Sequence, residues 1–473
     1  MEDLFVKHGS VAPSKVGEWI TGKVIYPLWT RRDHPHYLRH AKQFSKTQFL
    51  STTELEQLQM ERLREQLIHA FRNISFYRRR FESEGITPLD IRTLSDLRYI
   101  PILTKKEIQD HAHEMVAQNQ PATARIANQT GGSTGSPLQF WVDRERFDSR
   151  RASTDRHNSW AGLHPGQWYA HLWGSRFDTG TSTRPAITWR QRLLYRALTL
   201  NTSLISEQDL AEYVALLRRF RPRFMLAYAQ SAVMFARYCE QENIRDIHFE
   251  SIITTAEMLL PEQRQFLERI FKGKVFNRYG CREFSVIASE CAYHTGMHIN
   301  ADALIVEIEP SPHAPQGTGK VIVTDLLNRS MPLIRYEIGD MASMSTGTPC
   351  PCGRSLPRIS EISGRITDFL ITPDQRRISG ISLALLAGDM PEVRQMQFEQ
   401  TDRWNIRLRV VPGRGFGHDT TEELRTRLEP YLRGMSNLSI ETVDTIASEP
   451  SGKFRYVKTS AEVLGSCMTA GHE

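Results

Sequence analysis

Between residues 142 and 300 helical segments alternate with short apolar runs, and this alternation restricts the chain more than any other feature. The runs include Phe224-Met225-Leu226-Ala227-Tyr228, Ser251-Ile252-Ile253-Thr254-Thr255 and Val275-Phe276-Asn277. Short apolar runs separated by helices are expected to be buried strands of an α/β layered fold. From Ala303 to Asp340 strands dominate, with Ala303–Ile308 followed by Gly319–Thr324. Upstream, Thr53 with Glu56 reads as a capping box, and Leu55, Leu58, Leu63, Leu67, Ala70, Phe71 and Ile74 continue at helical spacing to Phe76. Thr104 with Glu107 starts a shorter helix by the same logic. After about Gly364 the pattern changes to strand (395–411), helix (420–432) and strand (438–443), the size of a small α+β domain.

Composition bounds the class. The chain has 473 residues and 40% hydrophobic content, enough for a substantial core and more than one structural unit. No apolar stretch reaches the roughly 18 residues of a membrane span. The first eight residues lack the order of a signal peptide, so a cytoplasmic protein is expected. The net charge of +6 is mild and spread along the chain, which suits an anionic ligand. A basic and aromatic cluster from Trp29 to Phe49, densest at Trp29–Tyr37, could touch a membrane surface or a partner, but without an amphipathic stripe it reads better as a solvated segment. No concentrated basic stripe with stacking aromatics points to nucleic acid.

The run Thr130-Gly131-Gly132-Ser133-Thr134-Gly135-Ser136-Pro137 offers backbone N–H groups and hydroxyls to an anion. Such composition also makes flexible linkers. The strand-like Leu138-Gln139-Phe140-Trp141-Val142 that follows favours a phosphate-binding loop tied to a sheet. Four further elements follow in order: Asn277-Arg278-Tyr279-Gly280-Cys281-Arg282-Glu283, Arg335-Tyr336-Glu337-Ile338-Gly339-Asp340, Gly364-Arg365-Ile366-Thr367-Asp368, and Pro450-Ser451-Gly452-Lys453. Each alone is a common turn sequence; their order carries the information.

With these five motifs the chain resembles the acyl-adenylate-forming ligases, and within them the phenylacetate–CoA ligase-like, capsular polysaccharide biosynthesis (CapK-like) branch. The likeness runs from about Leu55 to Lys453 and includes Asn73–Arg78 and Ile100–Lys105. It implies a large α/β adenylate-forming domain over 51–364, after an extension over 1–50, and a small mobile α+β domain over 365–473. It implies that Thr130, Gly131, Gly132, Ser133, Thr134 and Gly135 hold ATP phosphates, with Asn277, Arg278, Gly280 and Arg365 also lining the nucleotide. Tyr279 would stack on adenine and Asp340 would bind the ribose. Glu283 would hold Mg²⁺, Arg335 would meet phosphate, and Lys453 would stabilise charge as carboxylate attacks phosphorus. The acyl pocket would include Trp173, Gly174, Tyr228, Ala256 and Glu257.

The implied reaction forms acyl-AMP from a small carboxylic acid, an aromatic one among the candidates, and passes the acyl group to CoA, an amine or a hydroxyl. AMP transfer to a cofactor, or a degenerate adenylate-binding protein, are the rival readings. Leu138 stands where many such enzymes place lysine, Thr367 stands at the hinge position, and 371–377 lacks a glycine frequent in CoA ligases, which weakens CoA as acceptor. A homodimer is compatible with the resemblance, though no interface signature is visible.

A second constellation is separate from the nucleotide. Cys291-Ala292-Tyr293-His294 with Cys350-Pro351-Cys352 offers three thiols and an imidazole, a donor set for a structural Zn²⁺. His298 could replace His294, and Cys281 could replace a thiol. Reduced buried cysteines are the plain alternative.

Overall fold

The structure, a computed structural model, describes residues 14–130, 138–173, 194–202, 207–310, 317–365, 369–373, 377–379, 383, 390, 392–432, 435, 437–447 and 454–460. The N-terminal helices are α1 (Lys15–Ile20), a π-helical turn (Thr21–Ile25), α2 (Tyr26–Asp33), α3 (Tyr37–Thr47), α4 (Thr52–Asn73), α5 (Ser75–Ser83) and α6 (Lys105–His111). The long helix begins two residues earlier than expected. Ser51, not Thr53, is its N-cap, and its hydroxyl and Glu54 exchange the two bonds of a capping box. It stops at Asn73, whose side chain bonds back to the His69 carbonyl, and Ile74 turns extended before α5. The Thr104–Glu107 box stands where it was expected.

The strands β1 (Arg125–Gln129) and β2 (Gln139–Asp143) form an antiparallel hairpin leading into α7 (Arg144–Trp160). Then come β3 (Tyr169–Trp173), β4 (Ala197–Asn201), β5 (Phe224–Tyr228), β6 (Ser251–Thr255), β7 (Lys274–Cys281), β8 (Ser285–Glu290), β9 (Met297–Ile299), β10 (Leu304–Pro310), β11 (Thr318–Asp325), β12 (Tyr336–Met344) and β13 (Arg358–Arg365). These eleven strands make one sheet, ordered β10-β11-β12-β13-β9-β8-β7-β6-β5-β3-β4. Two of its strands, β5 and β6, coincide with the runs read from sequence.

The sheet has two characters. From β4 to β7 neighbours are parallel, and the central strands β5 and β6 are almost wholly buried. From β7 to β10 they are antiparallel. The change falls inside β7: residues 274–277 pair parallel with β6, and 278–281 pair antiparallel with β8. Gly280 allows that second pairing, because a Cβ there would sit 2.3 Å from the Ser285 carbonyl oxygen.

Beyond β14 (Phe369–Ile371) and β15 (Arg377–Ser379), the C-terminal segment is a four-stranded sheet with a helix at His418–Leu428; from one edge to the other its strands are Asn437–Thr442, Asn405–Pro412, Val393–Gln400 and Val457–Thr459. Its strands are β16 (Val393–Gln400), β17 (Asn405–Pro412), β18 (Asn437–Thr442) and β19 (Val457–Thr459). The alternation read as one strand over 395–411 is a hairpin, since Asp402 accepts from the N–H groups of Trp404 and Asn405 and turns the chain. The chain is thus an α/β protein with a large N-terminal assembly and a smaller α+β C-terminal one.

Candidate functional site

Open α/β sheets bind ligands beyond the carboxyl ends of their parallel strands, where the topology changes. Here that region gathers most of the described residues singled out from sequence. Trp173 ends β3 and Tyr228 ends the adjacent β5, with ring centroids 4.5 Å apart at 56°. Ala256 follows β6 in a left-handed conformation (φ 67°), a strained backbone for a residue with a Cβ, which turns the chain into Glu257.

The Glu257 carboxylate takes two backbone N–H bonds, from Gln230 at 2.8 Å and from Phe454 at 2.8 Å. Gln230 opens the helix Ala229–Gln241, and Phe454 directly follows Lys453 in sequence. Tyr456 adds to the same junction, its hydroxyl 2.8 Å from Gln230 Nε2 and 3.3 Å from Gln263 Nε2. Both amide groups donate to the Tyr456 oxygen, and burial raises its phenol to about 12. The C-terminal segment therefore docks against the residues expected to line the acyl pocket. Sequence reading had not found Gln230, Gln263 or Tyr456; they carry no motif and converge only through tertiary contact.

One strand further, the Tyr279 hydroxyl donates to Asp340 Oδ2 at 2.7 Å, across the sheet from β7 to β12. The backbone of Arg365 pairs opposite Asp340. Glu283, buried, accepts the Tyr336 hydroxyl at 3.4 Å. Burial first, then the neighbouring Glu283, pushes the Cys281 thiol well above its ordinary range; it is no thiolate nucleophile. At the hairpin the Thr130 N–H donates to the Leu138 carbonyl and the Leu138 N–H to the Thr130 hydroxyl, at 3.0 and 2.9 Å. These bonds close the base of the Gly/Ser loop onto β1 and β2. Gly131, Gly132, Ser133, Thr134, Gly135, Gly174, Thr367, Asp368 and Lys453 lie outside the described residues.

Two expected nucleotide contacts are placed elsewhere. Arg278 is buried on the opposite face of β7 from Tyr279, as the two-residue period of a strand requires, and its guanidinium bonds the Asn158 side chain. Arg335 is also buried. Its guanidinium bonds the Ile100 carbonyl at 2.7 Å, Glu307 at 3.0 Å and Glu309 at 3.4 Å. It ties the Ile100–Leu103 segment to β10, and its nitrogens are committed there.

The cysteine cluster forms, with a different histidine. Cys291, His298, Cys350 and Cys352 bring one ligand atom each within 4.8 Å of one another. Cys291 Sγ lies 3.6 Å from Cys350 Sγ, and Cys352 Sγ lies 3.3 Å from His298 Nε2. His298 Nδ1 faces the Leu356 carbonyl at 3.2 Å, so that nitrogen carries the proton and Nε2 presents its lone pair to the cluster. Burial, with Arg354 and Arg358 nearby, holds the imidazole down at about 4. Cys291 is raised to about 12 by burial. Burial would raise Cys350 too, but the Thr295 hydroxyl at 3.3 Å and the Cys352 donors outweigh it and bring it to about 7. His294 is drawn away to Glu290, 3.1 Å from its Nδ1, where Arg264 also grips both carboxylate oxygens. Cys281 is not in the group.

Comparison with known proteins is consistent across three lines. The CapK C-terminal domain family matches residues 370–460. Protein CapK of Staphylococcus aureus is 23% identical over 441 residues, covering 92% of this chain and 94% of that protein. The phenylacetate-coenzyme A ligase of Thermus thermophilus is 27% identical over 332 residues, covering 68% of this chain and 73% of that one. Among solved structures, 2-hydroxyisobutyryl-CoA ligase in its postadenylation state, in complex with R3-HIB-AMP, superposes with a TM-score of 0.72 at 20% identity, over 89% of this chain and 93% of that one.

Proposed function

We propose that this chain, which belongs to the acyl-adenylate-forming superfamily in its phenylacetate–CoA ligase-like and CapK-like branch, is an AMP-forming carboxylate ligase. It activates a small acid with ATP and transfers the acyl group to CoA, an amine or a hydroxyl. The observation that carries this reading is the convergence at one end of the sheet: Trp173 beside Tyr228, Tyr279 bonded to Asp340, and Glu257 bonded to the residue after Lys453. An aromatic pair and a carboxylate-anchored hydroxyl lie on neighbouring parts of one sheet. A flat acyl group and a nucleoside fit them.

In this reading Asp340, oriented by Tyr279, accepts the ribose hydroxyls, and the Tyr279 ring covers the base. The loop 131–135, closed at its base by Thr130 and Leu138, wraps the phosphates. Glu283 is the carboxylate for Mg²⁺, whose chemistry is to neutralise phosphate charge; an oxygen donor beside phosphate suits that ion. No general base is needed, because the acid is already ionised near neutral pH. Lys453 brings cationic charge to the attacking carboxylate and the α-phosphate. Residues 365–473 act as the smaller unit that delivers Lys453, with Glu257 as its docking point.

The four-ligand cluster is a structural Zn²⁺ site held by Cys291, His298, Cys350 and Cys352. For a tetrahedral zinc with Zn–S of about 2.3 Å and Zn–N of about 2.05 Å, sulfurs lie about 3.8 Å apart and sulfur to nitrogen about 3.6 Å. The corresponding distances here are 3.6 and 3.3 Å. The His298 Nδ1–carbonyl bond is the outer contact that a zinc-bound imidazole uses.

The test is carboxylate-dependent ATP–pyrophosphate exchange across aryl, hydroxy, fatty and amino acids, without CoA. Exchange with one class establishes acyl-AMP formation and identifies the acid type. No exchange, with AMP from labelled ATP retained in a product, would make the protein a nucleotidyl transferase instead.

A further inference from the structure

Twelve large hydrophobic side chains are exposed among the described residues, and five of them, Val16, Trp19, Ile20, Val24 and Leu28, fall on one helical rod. The rod is continuous from α1 through the π-helical turn into α2. Steps of three, one, four and four residues keep these side chains on one face. Val16 is 67% exposed, Trp19 61% and Leu28 59%. Lys23 and Arg31 fall on or beside this face and Lys15 and Arg32 flank it, all four exposed. The rod's two acids do not counter them equally: Glu18 is buried and reaches Arg223 at 3.5 Å, and Asp33 is half-buried, accepting from the Trp29 indole at 2.5 Å and from Arg32 at 2.7 Å. Lys15, Lys23 and Arg31 thus border the apolar face with no exposed carboxylate on the rod.

The opposite face is fastened to the protein body. The Tyr26 hydroxyl donates to Asp155 at 2.7 Å, and Arg196 donates to the Gly17 carbonyl at 3.0 Å and to the Thr21 hydroxyl at 2.8 Å. Trp29 packs against Tyr195 with centroids 5.3 Å apart, beneath the Arg151 guanidinium at 5.0 Å. Gly22 sits so close that a Cβ would come within 2.3 Å of the Pro165 carbonyl oxygen. The rod is therefore already folded and held before it meets anything, so binding carries no helix-ordering cost.

We propose that this face docks the protein on an anionic bilayer surface, the rod lying in the interface plane with Val16, Trp19, Ile20, Val24 and Leu28 in the headgroup–acyl boundary. An apolar stripe with a tryptophan, bordered by lysine and arginine and bare of acids, has the chemistry of an interfacial helix. Its cations meet the negative surface potential of anionic lipid. A second copy fits less well. A twofold contact would bring Lys23, at the middle of the stripe, against its own symmetry mate with no acid on the face to pair it. The reading is independent of the adenylation chemistry.

The experiment is flotation of the full chain with vesicles of phosphatidylcholine alone, or of phosphatidylcholine mixed with phosphatidylglycerol, together with light scattering of the free protein. The wild type is expected to float with the anionic vesicles, less so as salt is raised, and weakly with the neutral ones. The double variant Trp19→Ser/Leu28→Ser is expected to reduce anionic binding on the order of tenfold or more. Lys23→Gln, which leaves the stripe intact and so does not depend on how the double variant folds, is expected to reduce it about fivefold. Absence of flotation with anionic vesicles, or flotation undiminished in both variants, would overturn the proposal. A solution dimer that Trp19→Ser/Leu28→Ser converts to monomer would also overturn it and give the face to a second copy.

Discussion

Cys350→Ser tests the zinc assignment and the histidine correction together. Cys350 sits 3.6 Å from Cys291 and receives the Thr295 hydroxyl, in the loop between β12 and β13, so its loss removes one of four donors. A bound metal at about a thousand times its dissociation constant stabilises the folded state by about 4 kcal/mol. At about 2.1 cal/mol/K of unfolding entropy per residue, a unit of about 300 residues shifts by about 1.5 °C per kcal/mol, so metal loss should lower Tm by about 6 °C. The assays are elemental analysis of the purified protein and thermal unfolding with and without a chelator. Wild type should hold one zinc per chain and lose about 6 °C in chelator. Cys350→Ser and His298→Ala should both lack zinc and be insensitive to chelator, whereas His294→Ala should keep it. Zinc absent from the wild type, or lost in His294→Ala while kept in His298→Ala, would rule out a metal held by these four residues.

Other outcomes follow from the same contacts. Lys453→Ala should reduce pyrophosphate exchange by about 100-fold or more while ATP binding, followed by calorimetry, persists. Tyr279→Phe removes a hydrogen bond to a carboxylate, about 1.5 kcal/mol or more, and should raise the KM for ATP about tenfold with little change in the KM for the acid. Glu257→Ala leaves the Gln230 and Phe454 N–H groups without their acceptor, and should lower the exchange rate about tenfold without weakening ATP binding. In zinc-free protein His298 has its folded value near 4, against 6.5 when unfolded. The unfolded chain therefore takes up the proton first. Stability is complete above pH 6.5 and falls by up to about 3 kcal/mol as pH drops through 4, a loss that denaturant unfolding should show reduced in His298→Asn.

Local features were legible because they are set by neighbouring residues. The Thr104–Glu107 box, β5, β6 and the strand after the Gly/Ser loop follow from capping chemistry and short-range period. The β16–β17 hairpin was misread as one strand because both arms continue the same alternation, and only the Asp402 turn separates them. The exposed rod from Lys15 to Asp33 escaped notice because apolar residues at helical spacing ordinarily mark a buried face, whereas the residues this rod buries are Glu18, Thr21, Tyr26, Trp29 and Thr30.

The layered class, the ordered motifs and the residue types each site needs follow from the order of amino acids alone. Tertiary structure decided which of those residues meet. His294 stands nearer Cys291 in sequence, yet its ring turns to Glu290; pairing of Arg358 on β13 with His298 on β9 brings the latter to the loop at 350–352. Arg335 opens the motif that Asp340 closes, yet its guanidinium turns to Glu307 and the Ile100 carbonyl. Arg278 adjoins Tyr279, yet strand alternation sends it to the other face. Local sequence specifies backbone period and donor chemistry, whereas partners separated by tens to hundreds of residues are chosen by sheet register and by where buried charge finds its counter-charge.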